Sequence, residues 1–169
     1  MESMKTQMFD FAVIGGGIFG SYAAIYLSRR NYRVAIIERG KAKFSKASIV
    51  NQARLHGGYH YPRSIATARL ADVHKERFIS EHRPLINFSF KQFYGIDRYS
   101  SLTSADQFER FCDVIGAQFK KTAYPSIFSQ ERLDVLYEVT EHSFDPYLLS
   151  LYYWDQIRQS DIVILSETQ

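Results

Sequence analysis

Apolar runs and apolar–polar alternation divide the chain into a short series of predicted elements. "FDFAVI" reads as a short buried β-strand, and it passes through "GGGIFG" into "SYAAIYL", whose small and apolar positions suit a helix. "YRVAIIE" reads as a second buried strand, ending at Glu38. Periodicity then lapses. "RGKAKFSKASIVNQARLHGGYHYPRS" is rich in serine, lysine and glycine and is predicted to be a long loop, the kind that usually has a job. Ser64 is placed to cap a helix from Ile65 to about His82, ended by Pro84. "FSFKQFYGI" sets Phe88, Phe90, Tyr94 and Ile96 on one face of a strand, and "TSAD" from Thr103 has the form of a capping box before a helix through Phe108 and Ile115, with Gly116 as its stop. "RLDVLYEVTE" alternates through Leu133, Val135, Tyr137 and Val139. "FDPYLLSLYYWDQI" opens with Asp145 as cap and Pro146 at the first helical position, and "DIVIL" is a last strand.

The stretch from Phe11 to Leu27 contains no charged residue, which raises two readings. It is close to the length that crosses a bilayer, and "RR" follows it. Against a membrane span or a signal peptide stand Asp10 just before it, Lys5 as the single basic residue upstream, and the glycines at its start. A phosphate-binding turn explains more of the letters. Gly15, Gly17 and Gly20 have the G-x-G-x-x-G spacing between a strand and a helix. Gly15 permits the tight turn, Gly17 lets backbone approach a pyrophosphate, and Gly20 lets the helix lie against the sheet. Unpaired N–H groups and the positive dipole end at the helix start favour an anion.

The continuation strengthens the second reading. Ala24 is a further small residue toward the sheet, and Glu38 ends the second strand 18 residues after Gly20. A carboxylate there accepts hydrogen bonds from both hydroxyls of an adenosine ribose. It also disfavours NADP, because a 2′-phosphate about 4 Å away would be repelled by roughly 4 kcal/mol at an effective dielectric near 20. NAD suits the same pattern. The plain structural alternative is a β-α-β unit that only packs, with Glu38 a solvated strand end.

Composition narrows the picture further. At 169 residues and 46% hydrophobic, the chain is long enough to bury a substantial core and is not disordered. A net charge of +3 with dispersed basic residues shows neither a nucleic-acid stripe nor a polybasic membrane patch. Cys112 is the lone cysteine and falls on the buried face of its helix with Phe108, Phe111 and Ile115, so no disulfide framework exists and a cytoplasmic setting is predicted. The 12 tyrosines and 13 phenylalanines, most of them beyond the first β-α-β, predict a second layer of structure.

Taken together, "DFAVIGGGIFGSYAAIYLSRRNYRVAIIERG" resembles the FAD-binding opening of the D-amino-acid oxidase-like flavoproteins, a group that includes glycine oxidase, glycerol-3-phosphate dehydrogenase and L-2-hydroxyglutarate dehydrogenase. "SKASIVNQARLHGGYHYP" is similar to the loop that passes the flavin there, at Ser48, Asn51, His56, Gly58 and Tyr61. "FDPYLLSLYYW" after an acidic strand is similar in topology to the group's substrate domain. The resemblance implies an α/β fold: a Rossmann-like FAD-binding β-α-β with part of a second α+β substrate, or cap, domain. The implied division is an FAD-binding part over 1–87, a partial cap domain over 88–160 and a returning strand over 161–169.

The resemblance also implies roles. Gly15, Gly16, Gly17, Ile18, Phe19 and Gly20 would hold the FAD pyrophosphate, Glu38 the ribose, and Arg39 would flank the adenosine. Ser45 and Ser48 would bond phosphate oxygens, and the flavin ring would lie over Asn51, Gln52, Ala53 and Arg54 to His56. The implied reaction removes a hydride from a small hydroxy acid or amino acid to the flavin. His56 is the residue nominated to assist proton loss, since its ordinary pKa is near neutrality, although a loop histidine bonded to backbone reads equally well. Arg54 suits a substrate carboxylate or pairing with a nearby acid. His56 and His60 are four apart, but Gly57 and Gly58 between them disfavour the helix that would aim both at a metal, and none is expected.

Relatives of this kind are longer. Their C-terminal half is absent here, so the chain is expected to be a fragment, or to be completed by that missing half or by a second chain, with unpaired sheet edges exposed. Beside the flavin oxidoreductase stand two alternatives, a catalytically silent dinucleotide-binding subunit and, less favoured, an NAD-dependent dehydrogenase.

Overall fold

A computed structural model of the chain describes residues 7–41, 44, 46–123 and 125–168. In chain order the elements are β1 (Phe11–Ile14), α1 (Ile18–Ser28), β2 (Val34–Glu38), α2 (Ala47–Val50), β3 (Arg54–Leu55), α3 (Ile65–His82), a 3-10 turn (Arg83–Leu85), β4 (Ile86–Asn87), β5 (Gln92–Asp97), α4 (Ala105–Ile115), β6 (Phe119–Lys121), β7 (Leu133–Val139), β8 (His142–Phe144), α5 (Pro146–Arg158) and β9 (Val163–Ser166). They form two compact units: residues 1–53 with 145–169, and residues 54–144.

The first unit is a parallel three-stranded sheet in the order β1-β2-β9, with Ala12 beside Ala35 and Ile36 beside Ile164. Val34, Ala35 and Ile36 of the central strand are buried, as expected of a strand flanked on both sides. Ser21, Ala24 and Ile25 form the buried side of α1. Helix α5 packs on α1 through Tyr153, whose ring meets those of Tyr22 and Phe44, and through a 2.6 Å hydrogen bond from Arg29 to Gln156. Asp145 caps α5 by accepting from the N–H groups of Tyr147 and Leu148, with Pro146 at the first helical position as its spacing predicted.

Two expectations change here. Strand β1 is not buried: Phe11 is 42% and Ile14 78% exposed, because among the described residues β1 pairs only with β2 and is an edge. The boundary also differs from a division at residues 87 and 160. Leu149, Tyr153 and Ile157 are buried in the first unit, so the helix that resembled cap-domain material belongs with the β-α-β.

The second unit has an antiparallel sheet in the order β5-β7-β6 and a smaller one in the order β3-β8-β4. Helix α4 lays Phe108, Phe111 and Cys112 into one core with Ile96, Tyr137 and Val139, joined by Tyr59 and Ala68. Burial pushes the Cys112 thiol up to about 12, consistent with a small core side chain. Ser64 caps α3, which spans Ile65–His82, and Gly116 in the left-handed region ends α4, both as predicted. The capping box begins one residue later than "TSAD" suggested: Ser104 and Gln107 exchange the two bonds. The strand predicted over "FSFKQFYGI" forms only from Gln92, in β5; residues 88–91 lie outside any strand, and the preceding β4 ends at Asn87 in a different sheet. Asn87 uses its side chain to bond Ser89, which breaks the ladder, and Phe88 and Phe90 are left exposed while Tyr94 and Ile96 keep their predicted face.

The core predicts its own sensitivity. Phe108 is 2% exposed and contacts the rings of Tyr94, Phe119 and Tyr137, so Phe108→Ala should lower stability by about 3–5 kcal/mol in denaturant unfolding. Val114→Ala on the exposed side of the same helix should change it by less than about 0.5 kcal/mol.

Candidate functional site

In the first unit, the turn between β1 and α1 is built around the absence of side chains. Gly15 has φ of 95°, a conformation that costs glycine little. A Cβ on Gly20 would lie 1.9 Å from the Gly15 carbonyl oxygen, so the helix crosses the turn at a distance only glycine allows. A Cβ on Gly17 would lie 2.8 Å from Ser48 Oγ. The buried Ser21 hydroxyl donates to the Gly16 carbonyl at 3.3 Å, a tie that the glycine spacing gave no reason to expect.

Glu38 closes on this turn. Its Oε2 accepts from Gly16 N–H and its Oε1 from Gly40 N–H, each at 2.7 Å. Those two backbone bonds, with weaker help from Lys46 and Arg39, hold its carboxyl below the usual range, so it is ionised at neutral pH. Each oxygen keeps a further acceptor site for a hydroxyl donor. Gly17 is the N-cap of α1 with no capping side chain, and no acid lies in the first turn, so the positive end of the helix is not neutralised by its own residues. Ile18 N–H is taken by Ser48 Oγ at 3.1 Å. Ser48 sits on α2, a short helix inside the stretch that was predicted to be a loop. A cavity of about 210 Å³ lies beside the turn, lined by Gly17, Glu38, Phe44, Lys46, Ala47 and Ser48. Whole-ligand pockets usually measure about 300–1,000 Å³, so it has room for one end of a dinucleotide. The residues present therefore fit the ribose and phosphate groups of such a ligand.

The remaining predicted positions distribute as follows. Phe19 is 90% exposed and Arg39 is exposed. Ser45 lies outside the described residues. Asn51, Gln52 and Ala53 end the first unit; Asn51 Oδ1 accepts from Ala53 N–H at 2.9 Å, and Ala53 has a positive φ of 51°, uncommon for a residue with a Cβ.

Arg54 and His56 open the second unit around Glu141, whose side chain is fully buried. Arg54 donates to Glu141 and, at 2.7 Å, to the Tyr94 hydroxyl, which resolves its two sequence readings in favour of pairing with an acid. Glu141 Oε1 accepts from Gly57 N–H at 2.7 Å, and Tyr94 O–H donates to Oε2 at 3.3 Å. Gly58, with φ of 96°, packs on α3 so closely that a Cβ would lie 2.9 Å from the Ala68 carbonyl oxygen. The Tyr59 hydroxyl donates to the Gln118 carbonyl at 2.5 Å, and burial pushes its pKa up to about 12. The histidine segment is thus tied down on three sides and is not helical. His56 lies 4.0 Å from Glu141 through Nδ1, with its ring 5.7 Å from that of His60. Burial first of all lowers its pKa, with Glu141 opposing and Arg54 and His60 assisting, so it is neutral at pH 7. Sequence reading missed Glu141 and Tyr94. An acid following a strand was the only signal for the first, and nothing local marked the second.

Comparison with known proteins agrees with the fold. A family model described as FAD dependent oxidoreductase matches residues 10–169. The chain is 28% identical over 114 residues to the FAD-dependent monooxygenase FPY4 of Fusarium mangiferae, covering 68% of this chain and 31% of that protein. It is 33% identical over 79 residues to the aerobic glycerol-3-phosphate dehydrogenase of Staphylococcus saprophyticus, covering 46% of this chain and 14% of that one. The dithionite-reduced, FAD-bound L-alpha-glycerophosphate oxidase of Mycoplasma pneumoniae superposes with a TM-score of 0.77 at 16% identity, over 97% of this chain and 46% of that one. The chain therefore spans less than half the length of each. Among the described residues no helix is long and apolar enough to cross a membrane. The run from Phe11 to Leu27 is instead strand, turn and helix.

Burial lowers the pKa of both His56 and His142 below the 6.5 of the unfolded chain. A depressed pKa means that the unfolded state binds more protons between the two values, so stability is fully present above about pH 6.5 and falls as pH drops through it. A thermal melt should show a lower Tm at about pH 5.5 than at about pH 7.5, and a His56→Gln, His142→Gln double variant should show a smaller loss over that interval.

Proposed function

Because the chain belongs to the FAD dependent oxidoreductase family, we propose that its first unit binds the adenosine diphosphate end of FAD and that the complete protein oxidises a small hydroxy acid or amino acid. The observation that carries this reading is the bond from Gly16 N–H to Glu38 Oε2, which joins the phosphate turn to the ribose acid in one rigid arrangement. In it, Gly17 leaves a surface bare enough for a diphosphate. The first-turn N–H groups of α1 and the Lys46 side chain beside the cavity supply positive potential. Glu38 accepts from the ribose hydroxyls, and Ser48, which lines the same cavity, holds the turn through Ile18 N–H. Arg39 flanks the adenosine, and Asn51, Gln52 and Ala53 continue toward the flavin end of the ligand.

Bound FAD supplies the acceptor for a hydride. The chain's own contribution is to hold the ligand and to receive the proton that leaves the substrate hydroxyl or amine. His56 is suited to that task, since it is neutral at pH 7 and about a third exposed. The names of the Staphylococcus and Mycoplasma relatives, both acting on a glycerol phosphate, support a substrate whose reacting carbon bears a hydroxyl.

A second reading, a dinucleotide-binding subunit that is silent by itself, is favoured by the exposure of Ile14 and Phe11 on the edge strand β1. In that reading a further portion of the protein, or a second chain, covers β1 and completes the sheet.

FAD titration of the purified chain, followed by quenching of flavin fluorescence, separates these readings from an NAD-dependent one. FAD should bind and NAD should not compete at equal concentration. Gly17→Val should abolish FAD binding, because its branched side chain enters the space of the diphosphate and displaces Ser48. Glu38→Ala should weaken it about 10- to 100-fold, the value of lost charge-assisted bonds. Unchanged affinity in both variants would remove the turn from the site. Bound FAD that no hydroxy or amino acid reduces would favour the silent subunit.

A further inference from the structure

We propose that Glu141 is a positioning residue for His56: its buried carboxylate fixes the imidazole as the Nδ1–H tautomer and so makes Nε2 the nitrogen that accepts a proton. The inference rests on reading His56 as the proton acceptor for its functional meaning, but its geometry stands apart from any cofactor.

A carboxylate offers about four acceptor sites. Three on Glu141 are filled, by Gly57 N–H on Oε1 and by Arg54 and the Tyr94 hydroxyl on Oε2. The fourth is on Oε1. Facing it at 4.0 Å is His56 Nδ1, a buried atom with no hydrogen-bond partner. An unfilled acceptor and an unpartnered nitrogen thus confront each other, about 1 Å beyond ordinary hydrogen-bond length. Were Nδ1 unprotonated, its lone pair and the nearby carboxylate oxygen would repel each other and both would go unsatisfied. A proton on Nδ1 satisfies both, and the bond made by one ring nitrogen then decides what the other does.

The rest of the cluster keeps this contact available. Arg54 and Tyr94 hold Oε2, so the carboxylate cannot rotate away without breaking two bonds. Gly57 N–H, one residue after His56, ties the backbone of the histidine segment to the same oxygen that faces the ring. The ionisable groups around His56 are Glu141, Arg54 and His60. Arg54 and His60 resist a positive imidazole, whereas Glu141 supports it. The ring therefore stays neutral at rest yet has a counter-charge beside Nδ1 when Nε2 takes a proton. A purely structural Arg54–Glu141 pair would not select a tautomer.

The test uses the full chain labelled with 15N at histidine, with two-bond 1H–15N correlations recorded at about pH 8, where the ring is neutral. The His56 signals are assigned by their loss in His56→Gln. Wild type should show His56 as Nδ1–H, opposite to the preference of a free imidazole. Glu141→Gln should return it to Nε2–H and lower its titration midpoint. A wild-type spectrum with the proton on Nε2 overturns the proposal. So does a folded Glu141→Gln chain in which tautomer and midpoint are unmoved. If Glu141→Gln fails to fold, the wild-type tautomer alone decides. None of these measurements needs FAD, so a failed FAD titration leaves the result readable.

Discussion

The first unit depends on one close approach, that of Gly20 to the carbonyl of Gly15, where a Cβ would sit 1.9 Å from the oxygen. It brings the start of α1 against the end of β1, and in that position Gly16 N–H reaches Glu38 while Ile18 N–H reaches Ser48. Any larger residue would force the helix away from the strand. Gly16 would then lose its bond to Glu38, and the two halves of a dinucleotide site would separate. Packing and binding share a single cause here, since the bare backbone that lets the helix cross the turn also leaves space beside Gly17.

The second unit has a different kind of constraint, a buried charge. Removing a carboxylate from water is costly unless its lone pairs are satisfied, and Glu141 achieves this by gathering Arg54, Tyr94 and Gly57 around it. Those partners lie on β3, on β5 and in the histidine segment, so satisfying one charge fixes three pieces of chain. His56 takes its place as a consequence. Its ring stands beside the carboxylate because the neighbouring backbone N–H is bonded to it.

Where the sequence was legible, the chemistry was local. Gly116 ending α4, Ser64 capping α3, Asp145 and Pro146 opening α5, and the three glycines of the first turn act within a few residues of themselves, so their letters carry their meaning. The misreadings arose where burial is decided at a distance. "FAVI" looks like a buried strand, but whether β1 is covered depends on what lies beside it, and among the described residues only β2 does. Phe88 and Phe90 alternate correctly for a strand, yet the Asn87 side chain diverts the backbone first. The helix from Pro146 resembled cap-domain material by order along the chain and joined the first unit through Tyr153 instead.

By itself the sequence determined the β-α-β turn, the acid at the end of its second strand and the limits of α3 and α5, because each follows from backbone sterics, capping bonds or short-range periodicity, and the flavin-binding class entered through resemblance to a family. Tertiary structure alone decided that Arg54 faces an acid 87 residues away and that Gly57 bonds the same carboxylate from 84 away. It also decided that His56 is desolvated beside them. A charge at position 141 is one letter among many acids until the fold takes it out of water, and the need to satisfy it there is a property of the interior.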